Sequence, residues 1–320
     1  PVDNAPRAAD LGGTGLMTDA ALTHHRSLRA QGLTRADVRA LERAGELTRI
    51  RRGVYQRGPF EAGDGARHRQ LVRATWLELG DGAAVSHASA AVLHGLPLLG
   101  KAPARVCVTR PEGGHGRADS VLHLRLCPID AAETVLIGDV LVTSLARTVV
   151  DVARESSLDQ GVVVADAALR LGLHPAELAD AVTRAKRRPG VTRARQVASF
   201  ADGASQSPGE SVSRVRMHQA GLPTPVLQWH LGYDDGRTTE SDFGWPELRT
   251  LGEFDGKVKY GRLLRPGQTV ADVVMAEKQR ENRIRRQGWW LVRWGWDDVR
   301  DVQAFGRLIR EAFANAPRVV

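Results

Sequence analysis

Cysteine is nearly absent: the 320-residue chain holds two, Cys107 and Cys127. Two thiols exclude a disulfide framework and cannot furnish a four-thiolate zinc site. Both fall in strand-like runs and read as small buried residues, which fits a reduced compartment. Long apolar runs are missing as well. No stretch approaches the ~18 consecutive apolar residues of a membrane span, and the sequence does not open on a basic segment followed by a signal-peptide core. The cytoplasm, with no membrane partner, is therefore the expected location. Acidic residues are in deficit, 37 Asp+Glu against 45 Lys+Arg, for a formal net charge of +8. That balance favours a polyanionic partner, although arginine-rich composition also arises from GC-rich coding alone.

The length suits two ordinary domains and a smaller module. Residues 1–15 mix Pro, Gly, Ala and Asp without periodicity and read as a flexible arm. Helical spacing from Thr18 to about Ala30 breaks at Gln31-Gly32-Leu33, and Thr34 caps a second helix from Arg35 to about Gly45. Leu47, Ile50, Val54 and Tyr55 then alternate with Arg49, Arg51 and Arg52 about a turn at Gly53, which predicts a basic hairpin. Helix, turn, helix and basic hairpin is the layout of a winged helix-turn-helix, here over residues 16–60, with DNA as its partner. Arg35, Arg39 and Arg43 recur every four residues and would line the groove-facing side of the second helix; Arg49, Arg51 and Arg52 suit phosphates. The alternative is a charged helix and hairpin that contact nothing.

Residues 61–200 predict a mixed α/β middle domain: two helices up to Leu99, strands near Val106, Val121–Leu126 and Asp139–Thr143, then helices from 144 to 185 interrupted at Lys186-Arg-Arg-Pro-Gly190. His87 and His94 stand seven residues apart, but no Cys or carboxylate joins them at metal-ligand spacing, so packing or hydrogen bonding is expected. Thr143, Ser144, Arg147 and Asp151 read as a helix start and a buried ion pair. The run 201–209 is rich in small, turn-forming residues and predicts a linker.

Beyond it, residues 210–320 predict the order helix, three strands, helix, strand. Glu210 opens the first helix, Asp242 lies near the end of the second strand, and Glu253, Asp255 and Lys257 share one face of the third. Asp242, Glu253 and Asp255 supply the oxygen ligands that Mg²⁺ or Mn²⁺ requires, and a nearby lysine, Lys257 or Lys259, would stabilise developing charge on a scissile phosphate. The competing reading is a solvated edge strand whose charges prevent aggregation. Trp289, Trp290, Trp294 and Trp296 read as core rather than as base-stacking platforms.

Three blocks, Asp242-Phe-x-Trp-Pro246, Glu253-Phe-Asp-Gly256 and Glu277-Lys-x-Arg-Glu281-x-Arg-x-Arg-x-x-Gly-Trp289, resemble the very-short-patch-repair-endonuclease-like branch of the PD-(D/E)XK nucleases over about 208–300. The resemblance implies that Asp242 and Glu253 are metal ligands and that Glu210 is the acid of the first helix. Asp255 occupies the position of the usual lysine, and Lys257 and Lys259 stand where histidines often follow. Leu47-Thr-Arg-Ile-Arg-Arg-Gly-Val-Tyr55, Ser86-His-Ala-Ser-Ala-Ala-Val-Leu-His-Gly-Leu96 and Val142-Thr-Ser-Leu-Ala-Arg-Thr-Val-Val-Asp151 resemble AbiEi-like antitoxins of type IV toxin-antitoxin systems over about 18–185. That family implies a winged helix joined to a domain that antagonises a nucleotidyltransferase toxin. Two functions follow as expectations. The first is a metal-dependent DNA endonuclease or nickase targeted by the winged helix; the second is a transcriptional autorepressor and antitoxin whose nuclease-like domain is inactive. Oligomeric state and target sequence are not legible.

Overall fold

The computed structural model describes residues 22–79, 82–111, 115–233, 236–256 and 269–317. The chain is a mixed α/β protein in two compact units, Pro1–Gly80 and Asp81–Val320. Lys257 and Lys259 lie outside the described residues, as do residues 1–15.

In the first unit, β1 (Leu22–His24) leads into α1 (His25–Ala30) and α2 (Arg35–Arg43), followed by β2 (Leu47–Arg51), β3 (Val54–Arg57) and α3 (Asp64–Trp76). Thr34 caps α2 reciprocally with Asp37: each side chain accepts from the other's backbone N–H, at 3.3 and 2.8 Å. Such a cap contributes about 1 kcal/mol. Gly53 turns the hairpin at a φ of 82°. Leu22–His24 departs from the expected helix because it pairs antiparallel with Val54–Gln56, giving a three-stranded sheet in the order β1-β3-β2. Leu28, Val38, Leu47 and Tyr55 form one small core, and Ile50, Val54 and Ala74 form another beneath α3.

The second unit opens with β4 (Ala84–Val85), α4 (His87–Leu93), β5 (Val106–Arg110), β6 (Arg117–Ala118), β7 (Leu122–Leu126), β8 (Thr134–Ile137) and β9 (Val140–Thr143). They build a six-stranded sheet ordered β6-β7-β5-β4-β9-β8, parallel at β5/β7 and β4/β9. Helices α5 (Leu145–Glu155), α6 (Leu158–Arg170), α7 (Pro175–Arg184) and α8 (Val191–Phe200) follow and share a Val- and Ala-rich core. Ser144 caps α5, accepting from the Arg147 N–H at 3.4 Å. Inside, Arg147 bridges Asp151 at 2.8 Å and Glu133 at 2.9 Å. His94 meets the Thr143 carbonyl at 2.7 Å, and His87 meets Glu155 at 3.1 Å, so the two histidines serve separate partners.

Residues 201–209 run inside this unit rather than between units. Buried Asp166 on α6 accepts from the Asp202 N–H at 2.8 Å, from the Ser211 hydroxyl at 2.7 Å and from Arg214 at 2.8 Å. A carboxylate buried among three donors fixes the segment, and its small residues are what allow the close approach.

The last elements are α9 (Pro208–Gln219), β10 (Val226–Gly232), β11 (Thr238–Trp245), β12 (Thr250–Phe254), α10 (Val270–Arg286), β13 (Trp290–Trp294) and α11 (Val302–Asn315). Their sheet runs β10-β11-β12-β13, antiparallel except for the parallel pair β12/β13. Strand alternation separates its two faces. Phe243, Trp245, Val292 and Trp294 share a core with Met217, Phe305 and Ile309, whereas Leu231, Leu251 and Leu291 meet Ile284 of α10. Trp289 and Trp294 are core residues, and the Trp294 indole donates to Ser213 at 2.8 Å. Among the described residues no helix is long and apolar enough to cross a membrane.

Candidate functional site

Two groups of predicted residues are placed by the structure. On α2, Arg35, Arg39 and Arg43 are exposed and form no ion pair with another described residue; the Arg43 guanidinium donates to the Arg39 carbonyl at 3.3 Å. Apolar Val38 and Leu41 face the core and leave these arginines outward, as 3.6-residue periodicity requires. On the neighbouring hairpin Arg49 and Arg52 are exposed, while Arg51, half-buried, keeps a buried Nε without a hydrogen-bond partner. The register shifts between Arg49 and Arg51, an irregularity that re-aims side chains at a hairpin end.

The second group gathers at β11 and β12. Asp242, Glu253 and Asp255 line one cavity of about 560 Å³, roofed by Val273, Val274 and Lys278 of α10. Asp242 accepts the Phe254 N–H at 2.8 Å. Burial pushes its carboxyl up to about 7, against the Phe254 hydrogen bond, and the charges of Glu210, Glu253 and Glu240 add to the rise. Glu210 does not line the cavity. It is buried in the first turn of α9 behind the Ser207 cap, accepting from the Gln206 N–H at 2.8 Å and the Gln228 amide at 2.9 Å. Gln228 reaches it from a left-handed φ of 49° in β10, a conformation a non-glycine residue holds only when its surroundings impose it.

Glu253 is engaged on both oxygens. Oε1 accepts from Arg280 of α10, and Oε2 accepts from Arg293 of β13 at 3.0 Å. The same guanidinium of Arg293 also reaches Glu277, and Arg280 meets Glu277 at 3.3 Å. Sequence reasoning missed this clamp; the available signal was Arg293, whose place on β13 is directly opposite Glu253 once the two strands pair in parallel.

As arranged, the guanidinium groups of Arg280 and Arg293 occupy both Glu253 oxygens that a metal ion would need. Among the described residues no three His, Cys, Asp or Glu side chains are grouped to hold a cation. What the cluster offers instead is a carboxyl that exchanges a proton near pH 7 at the wall of a cavity.

Residues 18–58 match the model of a family described as "Transcriptional regulator, AbiEi antitoxin". That stretch contains α2 and the β2–β3 hairpin. Two curated proteins of Mycobacterium tuberculosis, Uncharacterized protein Rv2248 of strain H37Rv and Uncharacterized protein MT2308 of strain CDC 1551, are each 33% identical over 155 residues. The match covers 44% of this chain and 57% of theirs, so the chain spans little more than half the length of the curated relatives it matches. The crystal structure of the RV2827C protein from Mycobacterium tuberculosis is similar at a TM-score of 0.37 and 17% identity, over 66% of this chain and 83% of that one.

Proposed function

We propose that this chain is a DNA-binding transcriptional regulator of the antitoxin kind, with residues 16–60 acting as a winged helix-turn-helix. The observation that carries the reading is the row of exposed Arg35, Arg39 and Arg43 on α2, without an ion-pair partner among the described residues, beside a basic hairpin and inside the stretch matched by the regulator family. In this reading α2 enters the major groove, and Arg49, Arg51 and Arg52 take phosphates on the flanking strand. A nucleotidyltransferase toxin is the proposed protein partner of the region from 61 to 200. The test is an electrophoretic mobility shift on DNA from upstream of the chain's own gene. Arg39→Ala together with Arg43→Ala should weaken binding by roughly ten- to a hundredfold and flatten the salt dependence by about one unit of slope per lost phosphate contact. A shift indifferent to both substitutions sinks the reading.

A second reading, a metal-dependent DNA endonuclease centred on Asp242, Glu253 and Asp255, is favoured by one observation: three carboxylates, Glu210, Glu253 and Glu240, crowd Asp242; it requires Arg280 and Arg293 to release Glu253 to the ion. Glu210 belongs to that set, and Lys257 or Lys259 would assist. Incubating single- and double-stranded DNA with Mg²⁺, Mn²⁺ or EDTA tests it. Metal-dependent cutting lost in both Asp242→Ala and Glu253→Ala supports a nuclease, whereas intact DNA under every condition leaves the regulator alone.

A further inference from the structure

A cavity of about 1090 Å³ lies elsewhere in the second unit, between β6–β7, α5 and the Lys186–Pro189 loop. Its wall carries eight Lys or Arg side chains against four carboxylates. The carboxylates are outnumbered and mostly occupied, although Glu133 Oε1 is buried without a hydrogen-bond partner, with Arg184 at 3.6 Å. Glu155 is gripped by both Arg125, at 3.2 and 2.5 Å, and His87, at 3.1 Å. Burial alone would raise the Glu155 carboxyl, but these two partners outweigh it and hold it down at about 2, so it remains an anion. Asp151 and Glu133 are tied to Arg147, which is 1% exposed. The surplus positive charge therefore belongs to groups facing the opening.

Two of those groups are unfinished. Arg125 has a buried Nη1 with no hydrogen-bond partner even while its other nitrogens hold Glu155. Arg188 donates Nη2 to the Pro128 carbonyl at 3.1 Å and leaves Nη1 buried and without a partner. A buried guanidinium N–H without an acceptor costs free energy, and an anion in the cavity would remove that cost once either side chain turned that edge toward it. Lys186 and Arg187 stand exposed at the same rim and form no ion pair with a described residue. His87, at the back, holds a left-handed φ of 54°, braced between Ser86 at 2.9 Å and Glu155. Strained backbone that its neighbours over-determine is concentrated at ligand sites.

We infer that this cleft binds a small polyphosphate anion of nucleoside-phosphate size, seated against Arg125 and Arg188 and screened by Lys186 and Arg187. Arginine forks match phosphate oxygens bidentately, and several adjacent positive charges favour a ligand carrying more than one negative charge. The volume exceeds what a single inorganic phosphate fills and suits a nucleotide. Leu124, Leu126 and Pro128 supply apolar wall for the rest of such a molecule.

Isothermal titration calorimetry of the full chain with inorganic phosphate, pyrophosphate and ATP tests the assignment. Saturable one-site binding of pyrophosphate or ATP is expected, weakened at least tenfold by Lys186→Gln with Arg187→Gln and again by Arg188→Gln. The first two side chains are exposed, so thermal unfolding of that double variant should match the parent. Absence of saturable binding by all three ligands overturns the inference, and so does unchanged affinity in the double variant. A ten-nucleotide single strand whose binding falls with these substitutions, while neither pyrophosphate nor ATP binds, also overturns it and gives the cleft to a nucleic-acid backbone.

Discussion

Replacing Asp242 by Asn removes a carboxyl that the fold holds at about 7, against an ordinary value of 3.8. The folded state binds this proton more tightly than the unfolded chain does. Below about pH 4 both states are protonated and the variant should differ little from the parent. Between about pH 4 and 7 the unfolded chain releases the proton first, so stability falls as pH rises, and above about 7 the loss is complete. At 1.36 kcal/mol per pH step, the full difference is about 4 kcal/mol. Asp242 is only partly buried, and screening by solvent reduces this to about 2 kcal/mol. Asn keeps an acceptor for the Phe254 N–H, so the hydrogen bond is not the variable. For a unit the size of 81–320 the gain corresponds to about 5 °C in melting temperature. Differential scanning calorimetry at pH 4.5 and pH 8 measures it. An Asn variant that is equally or less stable at pH 8 would refute the argument that crowding by Glu210, Glu253 and Glu240, with burial, governs this group.

Two stability predictions concern the scaffold around the cleft and the acidic cavity. Arg147→Met strands Glu133 and Asp151 in the interior and should cost about 3–5 kcal/mol in urea titration, because breaking a buried pair leaves its charge uncompensated. Gly209→Ala would drive a methyl into the ring of Phe254, and the loss of close approach between α9 and β12 should cost about 1–3 kcal/mol.

Features carried by near neighbours in the chain were legible. The Thr34–Asp37 cap, the Gly53 turn and the Arg147–Asp151 pair each join residues no more than four apart, so spacing alone reveals them. Strand alternation also places Asp242 and Glu253 near one another, since β11 and β12 are joined by a short turn. What failed depended on distant partners. Leu22–His24 has helix-compatible spacing and becomes a strand only because Val54–Gln56 offers it an edge. The small residues of 201–209 look like a linker until Asp166, more than thirty residues earlier, is seen to hold them. The guanidinium clamp on Glu253 is supplied from 27 and 40 residues away, and no local pattern announces it. The basic run at Lys186–Arg188 read as a helix interruption because its significance lies in facing β7, not in its own spacing.

The parallel pairing of β12 with β13 carries a consequence for the order of assembly. Antiparallel β10, β11 and β12 are joined by short turns and can zip up locally, bringing Asp242 against the Phe254 N–H. A parallel neighbour cannot follow by a hairpin; the chain must first return along its whole length through residues 255–289. Closing so long a loop delays contact formation. Arg280 and Arg293 both arrive with that return, so the charge on Glu253 is compensated last. Until then the nascent sheet presents its acidic end bare, and it is α10 and β13 that bring the neutralising charges home.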